Sequence, residues 1–313
     1  MSSIHPTVSL YKGDRIQGVW NHKQYRIERL LGEGARGSTY LASINQNLVA
    51  LKISKDPAVI TSESNVLRKF RKAQGVKLGP SLLDVDDGYI RQGEKYSFYV
   101  MEYVQGRILS EHFSSIGLKR LGQITSELLK ALHQLHLLGF VFGDLKPDNI
   151  IIEQQTKQVR LVDVGGVTQV GRGIREYTTF YDRGYWRLGS RKADPQYDLF
   201  SLAICMIQAD PSNHLKVASQ NRDVLKVLAA SQMVTPFQPV VKKALLGKHA
   251  NALAMKREID YVTKQLPIAT QTQSNIKTSH RKKRGEIDRA EVISITSLVG
   301  IHLSALYFIL QAL

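Results

Sequence analysis

The chain has 313 residues, 43% of them hydrophobic, and a formal net charge of +16. That length and apolar content supply a sizeable core and exclude a wholly disordered or a small disulfide-stapled protein. Its single cysteine, Cys205, lies in the apolar run 199–207, where it cannot form an intramolecular bridge; it fits a reducing cytosol and reads as a small buried hydrophobe.

No basic stretch leads into an apolar core at the start, so no signal peptide is expected, and residues 1–24 read as an extension. Residues 25–30 and 40–42 read as strands. Between them, Leu31-Gly32-Glu33-Gly34-Ala35-Arg36-Gly37-Ser38-Thr39 places G-x-G-x-x-G at a hairpin tip instead of at the mouth of a helix. Glycines there let backbone N–H groups close on anionic oxygens without a Cβ in the way; an ordinary glycine hairpin is the competing reading. Val49-Ala50-Leu51-Lys52-Ile53 is an apolar strand with one lysine, a pattern that holds phosphates. Glu63 follows in a segment where Val66, Leu67 and Phe70 form a helical face; solvation of that helix is its plainer role. A strand at 97–101 and a helix at 124–138 precede Val141-Phe142-Gly143-Asp144-Leu145-Lys146-Pro147-Asp148-Asn149. Strands at 150–152 and 159–162 then lead to Asp163-Val164-Gly165, whose carboxylate is a hard ligand of the kind Mg²⁺ prefers.

In this order, these motifs resemble those of the protein kinases, over residues 25–266, and the lysine two places after Asp144 resembles the Ser/Thr class. Residues 176–186 and 193–206, with Asp163-Val164-Gly165-Gly166, look like those of the tail-anchored Hanks-type Ser/Thr kinases of spore-forming bacteria. The resemblance implies an α+β, two-lobed fold: a β-rich N-lobe, an α-rich C-lobe, and ATP with Mg²⁺ (or Mn²⁺) between them. It implies transfer of the γ-phosphate to Ser/Thr hydroxyls of protein substrates. Leu31, Gly32, Glu33, Gly34, Gly37, Ser38, Thr39 and Ala50 would then enclose the nucleotide. Lys52 would hold its α- and β-phosphates with Glu63, the one carboxylate between Asp56 and Asp84, as counterion. Glu102 and Val104 would lie in the hinge that binds adenine. Asp144 would orient the acceptor hydroxyl, Lys146 neutralise the γ-phosphate, Asn149 and Asp163 hold metal, and Asp198 brace the catalytic loop. Thr178 and Thr179, then Thr168, are the expected autophosphorylation sites, because the activation segment borders the cleft.

Departures from the family pattern bear on control. Phe142-Gly143-Asp144 replaces H-R-D, removing the arginine that pairs with a phosphorylated activation segment. A-P-E is absent, with Arg183-Gly184-Tyr185 in its place, so the brace of this segment is not specified. Val164 and Thr39 are milder replacements. Two other readings stand beside the protein kinase. A small-molecule phosphotransferase shares the Gly143-Asp144 loop, and Lys146-Pro147, the glycine loop and the Asp198 helix oppose it. A catalytically silent membrane scaffold or nucleic-acid-binding module is opposed by the retention of Lys52, Glu63, Asp144, Asn149 and Asp163.

Residues 267–291 are rich in Gln, Thr, Ser and basic residues, as a flexible tether is. Residues 292–313 contain no Asp, Glu, Lys or Arg and as a helix would span ~33 Å, enough for a transmembrane anchor; a docked amphipathic helix is the alternative. Arg281-Lys282-Lys283-Arg284 before it marks the cytoplasmic side. The expected location is the cell membrane, single-pass, with the kinase domain in the cytoplasm and an internal input. Thr296, Gly300 and Ser304 share one face, a seam for a homodimer or a chance alignment. Basic clusters at 68–72, at Arg183, Arg187, Arg191 and Lys192, and at Lys242-Lys243 suit DNA or anionic lipid; a merely solvated surface is the alternative.

Overall fold

The structure, a computed structural model, describes residues 9–71, 77–90, 93–210 and 223–267. Alternation of apolar and polar residues produces six antiparallel strands: β1 (Arg15–Gly18), β2 (Gln24–Gly34), β3 (Gly37–Ile44), β4 (Asn47–Ser54), β5 (Leu82–Ile90) and β6 (Glu94–Glu102). They pair in the order β1-β2-β3-β4-β6-β5, and β5 returns to β1 through Gln17↔Tyr89, closing a barrel. Ile16, Tyr25, Ile27, Tyr40, Leu51 and Phe98 fill its interior. Residues 15–18 therefore belong to this barrel, which corrects the reading of 1–24 as an extension. A four-residue strand whose second partner lies far along the chain leaves almost no sequence signal.

Period-two alternation in β4 turns Val49, Leu51 and Ile53 into the barrel and Ala50 and Lys52 to the other face. Between β4 and β5 runs α1 (Pro57–Phe70). Asp56 caps it, accepting from Ala58 N at 2.8 Å, and Pro57 starts its first turn. Its inward face carries Ile60, Glu63, Val66, Leu67 and Phe70.

The remainder is mainly helical: β7 (Gly106–Ile108), α2 (Leu118–Leu137), β8 (Phe140–Val141), β9 (Ile150–Glu153), β10 (Val159–Leu161), β11 (Thr168–Gln169), α3 (Pro195–Gln208), α4 (Val224–Ala230), α5 (Gln238–Leu245) and α6 (Ala252–Gln265). Leu121, Ile124, Leu128, Leu132 and Leu135 give α2 its buried face; α3 is buried all round from Tyr197 to Ile207, as an apolar run without a polar stripe requires. Cys205 is buried there, and burial pushes its thiol up. Short sheets, β10-β9-β7 and β11-β8, flank the loop between β8 and β9. One core runs from these helices under α1 to Ala50, Tyr99 and Met101 of the barrel's cleft side, which fixes where the two lobes meet. Among the described residues no helix is long and apolar enough to cross a membrane. The expected tether beyond residue 267, the anchor 292–313 and its dimer seam lie outside the described residues.

Candidate active site

The glycine hairpin forms as expected: Gly34 pairs with Gly37, leaving Ala35 and Arg36 at the tip. Gly37 has φ 134°, and a Cβ on it would fall 2.3 Å from Ile53 O, so only glycine keeps the hairpin close to β4. Thr39 pairs with Lys52 across the ladder, setting the lysine beneath the hairpin.

Lys52 Nζ lies 2.9 Å from Glu63 Oε2 and 3.2 Å from Asp163 Oδ1. Burial disfavours its charge, but Asp163 and Glu63 prevail and hold its pKa above the ordinary lysine value. Tyr99 Oη donates to Glu63 Oε2 at 3.0 Å, so α1 is tied to both β4 and β6. Asp163 sits in the left-handed region at φ 58°, a conformation aspartate tolerates better than most residues. Against its desolvation, Lys52 and the Gly165 N–H lower its pKa and keep it ionised. Ala50 and Val104 are buried.

Around Asp144 the bonds are dense. Its Oδ2 accepts from Lys146 Nζ at 2.8 Å and Asn149 Nδ2 at 3.3 Å, and its Oδ1 accepts from Thr178 N at 2.7 Å. Lys146 also donates to Thr178 Oγ1 at 2.9 Å. The loop is held from behind by fully buried Asp198, which accepts from Phe142 N at 2.8 Å and Gly143 N at 2.9 Å, with His136 Nε2 at 2.9 Å. Gly143 has φ 81°, and a Cβ there would fall 2.5 Å from Gly166 O. The loop is thus packed around glycine at the place where the family carries arginine.

The segment after Asp163 is braced without A-P-E. Asp182, fully buried, accepts from Gly184 N (3.0 Å), Tyr185 N (3.1 Å), Tyr197 Oη (3.0 Å) and Arg191 Nε (2.7 Å). Arg183 grips Asp194, the cap of α3, with both terminal nitrogens, and donates from Nε to Ser190 O at 2.7 Å. Arg183 and Arg191 are therefore committed to internal carboxylates; of that basic cluster, Arg187 and Lys192 remain as exposed cations without an acidic partner among the described residues. No sequence motif signals this lattice, since each pair depends on how the segment folds back on itself.

Of the expected phosphoacceptors, only Thr179 is exposed. Thr168 is buried with its hydroxyl on Gly166 O, and the Thr178 hydroxyl is engaged by Lys146. In the hinge, the Glu102 carboxylate faces away from catalysis: it accepts from Arg160 Nη2 at 3.0 Å and Ser81 N at 3.1 Å. Burial works to raise its pKa, but Arg160, the Ser81 N–H and Lys77 outweigh it and hold the group at about 2. Arg36 and Glu176 also enter the site, unforeseen from sequence: Arg36 Nη1 donates to Gly165 O at 2.9 Å, and its Nε lies 3.0 Å from Glu176 Oε2.

A hairpin that closes over phosphates, a lysine held by two carboxylates, and an aspartate beside a lysine and an asparagine are the parts phosphoryl transfer needs. The sequence of residues 25–278 matches the protein kinase domain, and the chain belongs to the protein kinase family. It is 38% identical to the serine/threonine-protein kinase YabT of Bacillus subtilis (strain 168), over 96% of this chain and 94% of that protein. With the serine/threonine-protein kinase STE20 of Candida glabrata it shares 29% identity over 59% of its length, spanning a fifth of that relative. Vaccinia related kinase 3 has the same fold, with a TM-score of 0.61 at 16% identity, covering 82% of this chain and 92% of that one. The protein is thus a bacterial, YabT-like Hanks-type kinase that moves the γ-phosphate of ATP to Ser/Thr hydroxyls. The small-molecule and silent-scaffold readings are set aside.

The residues fit ATP and a divalent metal. With its nitrogen committed to Asp144, Asn149 keeps an amide oxygen for the ion, and half-exposed Asp163 offers a carboxylate; such small oxygen sets suit a cation that completes its shell from phosphates and water. When bound, the metal neutralises phosphate charge. Asp144 is placed to accept the hydroxyl proton, Lys52 to reach phosphate oxygens while Glu63 holds it, and Lys146 to turn from Asp144 toward them.

Proposed function

We propose that this kinase works at the cytoplasmic face of the membrane, held by residues 292–313, with Mg²⁺ as its ion and Mn²⁺ as an alternative. It phosphorylates protein Ser/Thr residues and itself, with Thr179 as the favoured site, and takes a polyanion in place of a phosphorylated activation segment as its input. The observation that carries this reading is the assembly of Lys52 on Glu63 at 2.9 Å and of Thr178 on Asp144 at 2.7 Å around a loop that has room only for Gly143 where the family carries its phosphate-pairing arginine. Without that arginine, a phosphate on the segment has no partner in the loop through which to order it.

Anchoring is supported by the charge-free stretch and the Arg281-to-Arg284 run before it. Arg68, Lys69, Arg71, Arg187, Lys192 and Lys242 are exposed and suit anionic headgroups, which lie closest to a tethered domain, or DNA. Pairing through Thr296, Gly300 and Ser304 would favour phosphorylation in trans. The test is phosphate transfer from labelled MgATP by the full chain in zwitterionic and in anionic vesicles, with and without duplex DNA, beside Asp144→Asn. Label on the wild type with a salt-sensitive rise in either anionic arm supports the proposal. Equal rates in all arms at low salt remove the polyanion input, and recovery of the chain in an alkaline wash of membranes removes the anchor.

A further inference from the structure

The phosphate end of the cleft holds four carboxylates, Glu63, Asp144, Asp163 and Glu176, and three cations. Lys52 rests on Glu63 and Asp163, and Lys146 on Asp144. The third cation is Arg36, which the kinase pattern does not call for. It stands at the tip of the hairpin, reaches across to Gly165 O at 2.9 Å, two residues after the metal-binding Asp163, and pairs with Glu176. Its ionic partner is poorly satisfied. The 3.0 Å approach of Arg36 Nε to Glu176 Oε2 lacks hydrogen-bond alignment, and that buried oxygen has no hydrogen-bond partner among the described residues. A Cβ on Gly165 would sit 3.0 Å from Glu176 Oε2, 3.2 Å from Glu63 Oε1 and 3.3 Å from Asp163 Oδ1, so these carboxylates converge on one point. Burial raises the Glu176 pKa, Arg36 lowers it, and Asp163 raises it further: the charge of this carboxylate is held at a cost.

We infer that Arg36 is a γ-phosphate-binding residue of this kinase, parked on Glu176 until the nucleotide arrives. Lys146 rests on Asp144 in the same way at 2.8 Å, within reach of the same phosphate, and a guanidinium offers the stronger bidentate match to a phosphate. In the transfer itself the acceptor oxygen forms the new bond to phosphorus and the bond from phosphorus to the β–γ bridging oxygen breaks. That electron pair stays on ADP, and the hydroxyl proton passes to Asp144. Arg36 takes no proton; released from Glu176, it offsets charge on the oxygens of the moving group.

The inference rests on the kinase reading, and ADP separates the two. Binding of MgADP and of the Mg²⁺ complex of the β,γ-imido analogue of ATP would be measured by calorimetry on the full chain, for wild type, Arg36→Met, Arg36→Lys and Glu176→Gln. Arg36→Met is expected to weaken the analogue about tenfold, the factor that ~1.4 kcal/mol gives, with ADP affinity held within about twofold. Arg36→Lys should recover part of the loss. Glu176→Gln, which removes the resting partner, should leave analogue binding equal or tighter by a few fold. An unchanged ratio of analogue to ADP affinity in Arg36→Met overturns the assignment, as does an Arg36→Met enzyme faster than wild type, which would make the pair an inhibitory clasp. Failure of wild type to bind either nucleotide would instead count against the kinase reading.

Discussion

Replacing Asp182 by asparagine keeps the shape of the side chain and removes its charge. Four donors converge on its two oxygens: Gly184 N and Tyr197 Oη on one, Tyr185 N and Arg191 Nε on the other. The amide nitrogen must then face two donors, leaving two buried groups unsatisfied at ~1–3 kcal/mol each, and the charge-assisted bond from Arg191 is lost. Arg191 is half-exposed and returns to water, so its share belongs at the low end. The sum is ~3 kcal/mol, most of it from the buried donors and not from the half-exposed guanidinium. Urea unfolding should report that loss as a lower midpoint at unchanged slope. Steady-state assays should report a protein-substrate KM raised severalfold, with the KM for ATP within about twofold, because Asp182 touches no nucleotide residue. A double-mutant cycle with Arg191→Met should return a coupling of ~1 kcal/mol. A loss below ~1 kcal/mol with unchanged protein phosphorylation would refute the argument and shift the brace to Arg183 and Asp194.

Asp144→Asn should abolish transfer in a chain that still unfolds cooperatively and binds ATP, its midpoint lowered only by the donor that the new amide must face; retained turnover would remove Asp144 from its role. Glu63→Gln leaves Lys52 with Asp163 alone and strips Tyr99 of its charged acceptor, and should cut kcat/KM by about a hundredfold (~2.7 kcal/mol), read from initial rates. Glu102 carries a pH signature: its folded pKa of about 2 lies below the unfolded value near ~4.3. The stabilisation it confers is complete above the unfolded pKa and drains as pH falls toward 2. Comparing wild type with Glu102→Gln over that window should show a difference of ~1–2 kcal/mol that vanishes at its acid end, the figure being reduced for the carboxylate's partial exposure.

What the sequence disclosed was local. Lys52, Asp144, Asn149 and Asp163 sit in runs whose spacing is fixed by one strand or one loop, and Glu63 is the one carboxylate between Asp56 and Asp84 that can serve as the counterion the resemblance implies. Residues whose roles depend on distant partners escaped. Arg183 and Arg191 look like a free basic patch until the fold sets them on Asp194 and Asp182. The Glu102 carboxylate turns out to serve Arg160, which is buried by a β-sheet pairing that no short motif encodes. Thr168 reads as an accessible hydroxyl, yet β11 pairs it with Val141 and buries it. Arg36 and Glu176, separated along the chain by the whole catalytic loop, are joined only by the meeting of the lobes.

The closure of the N-lobe through β1 has a practical side. A chain cut at Tyr25, where the match to the kinase domain begins, would lose the stave that joins β2 to β5. Two long strands would then present unpaired N–H and C=O groups, and Ile16 would vacate the barrel's interior. Such a fragment would keep every catalytic residue and still tend to assemble edge to edge. Loss of activity on trimming the N-terminus would therefore report aggregation of the lobe before it reported any missing chemistry.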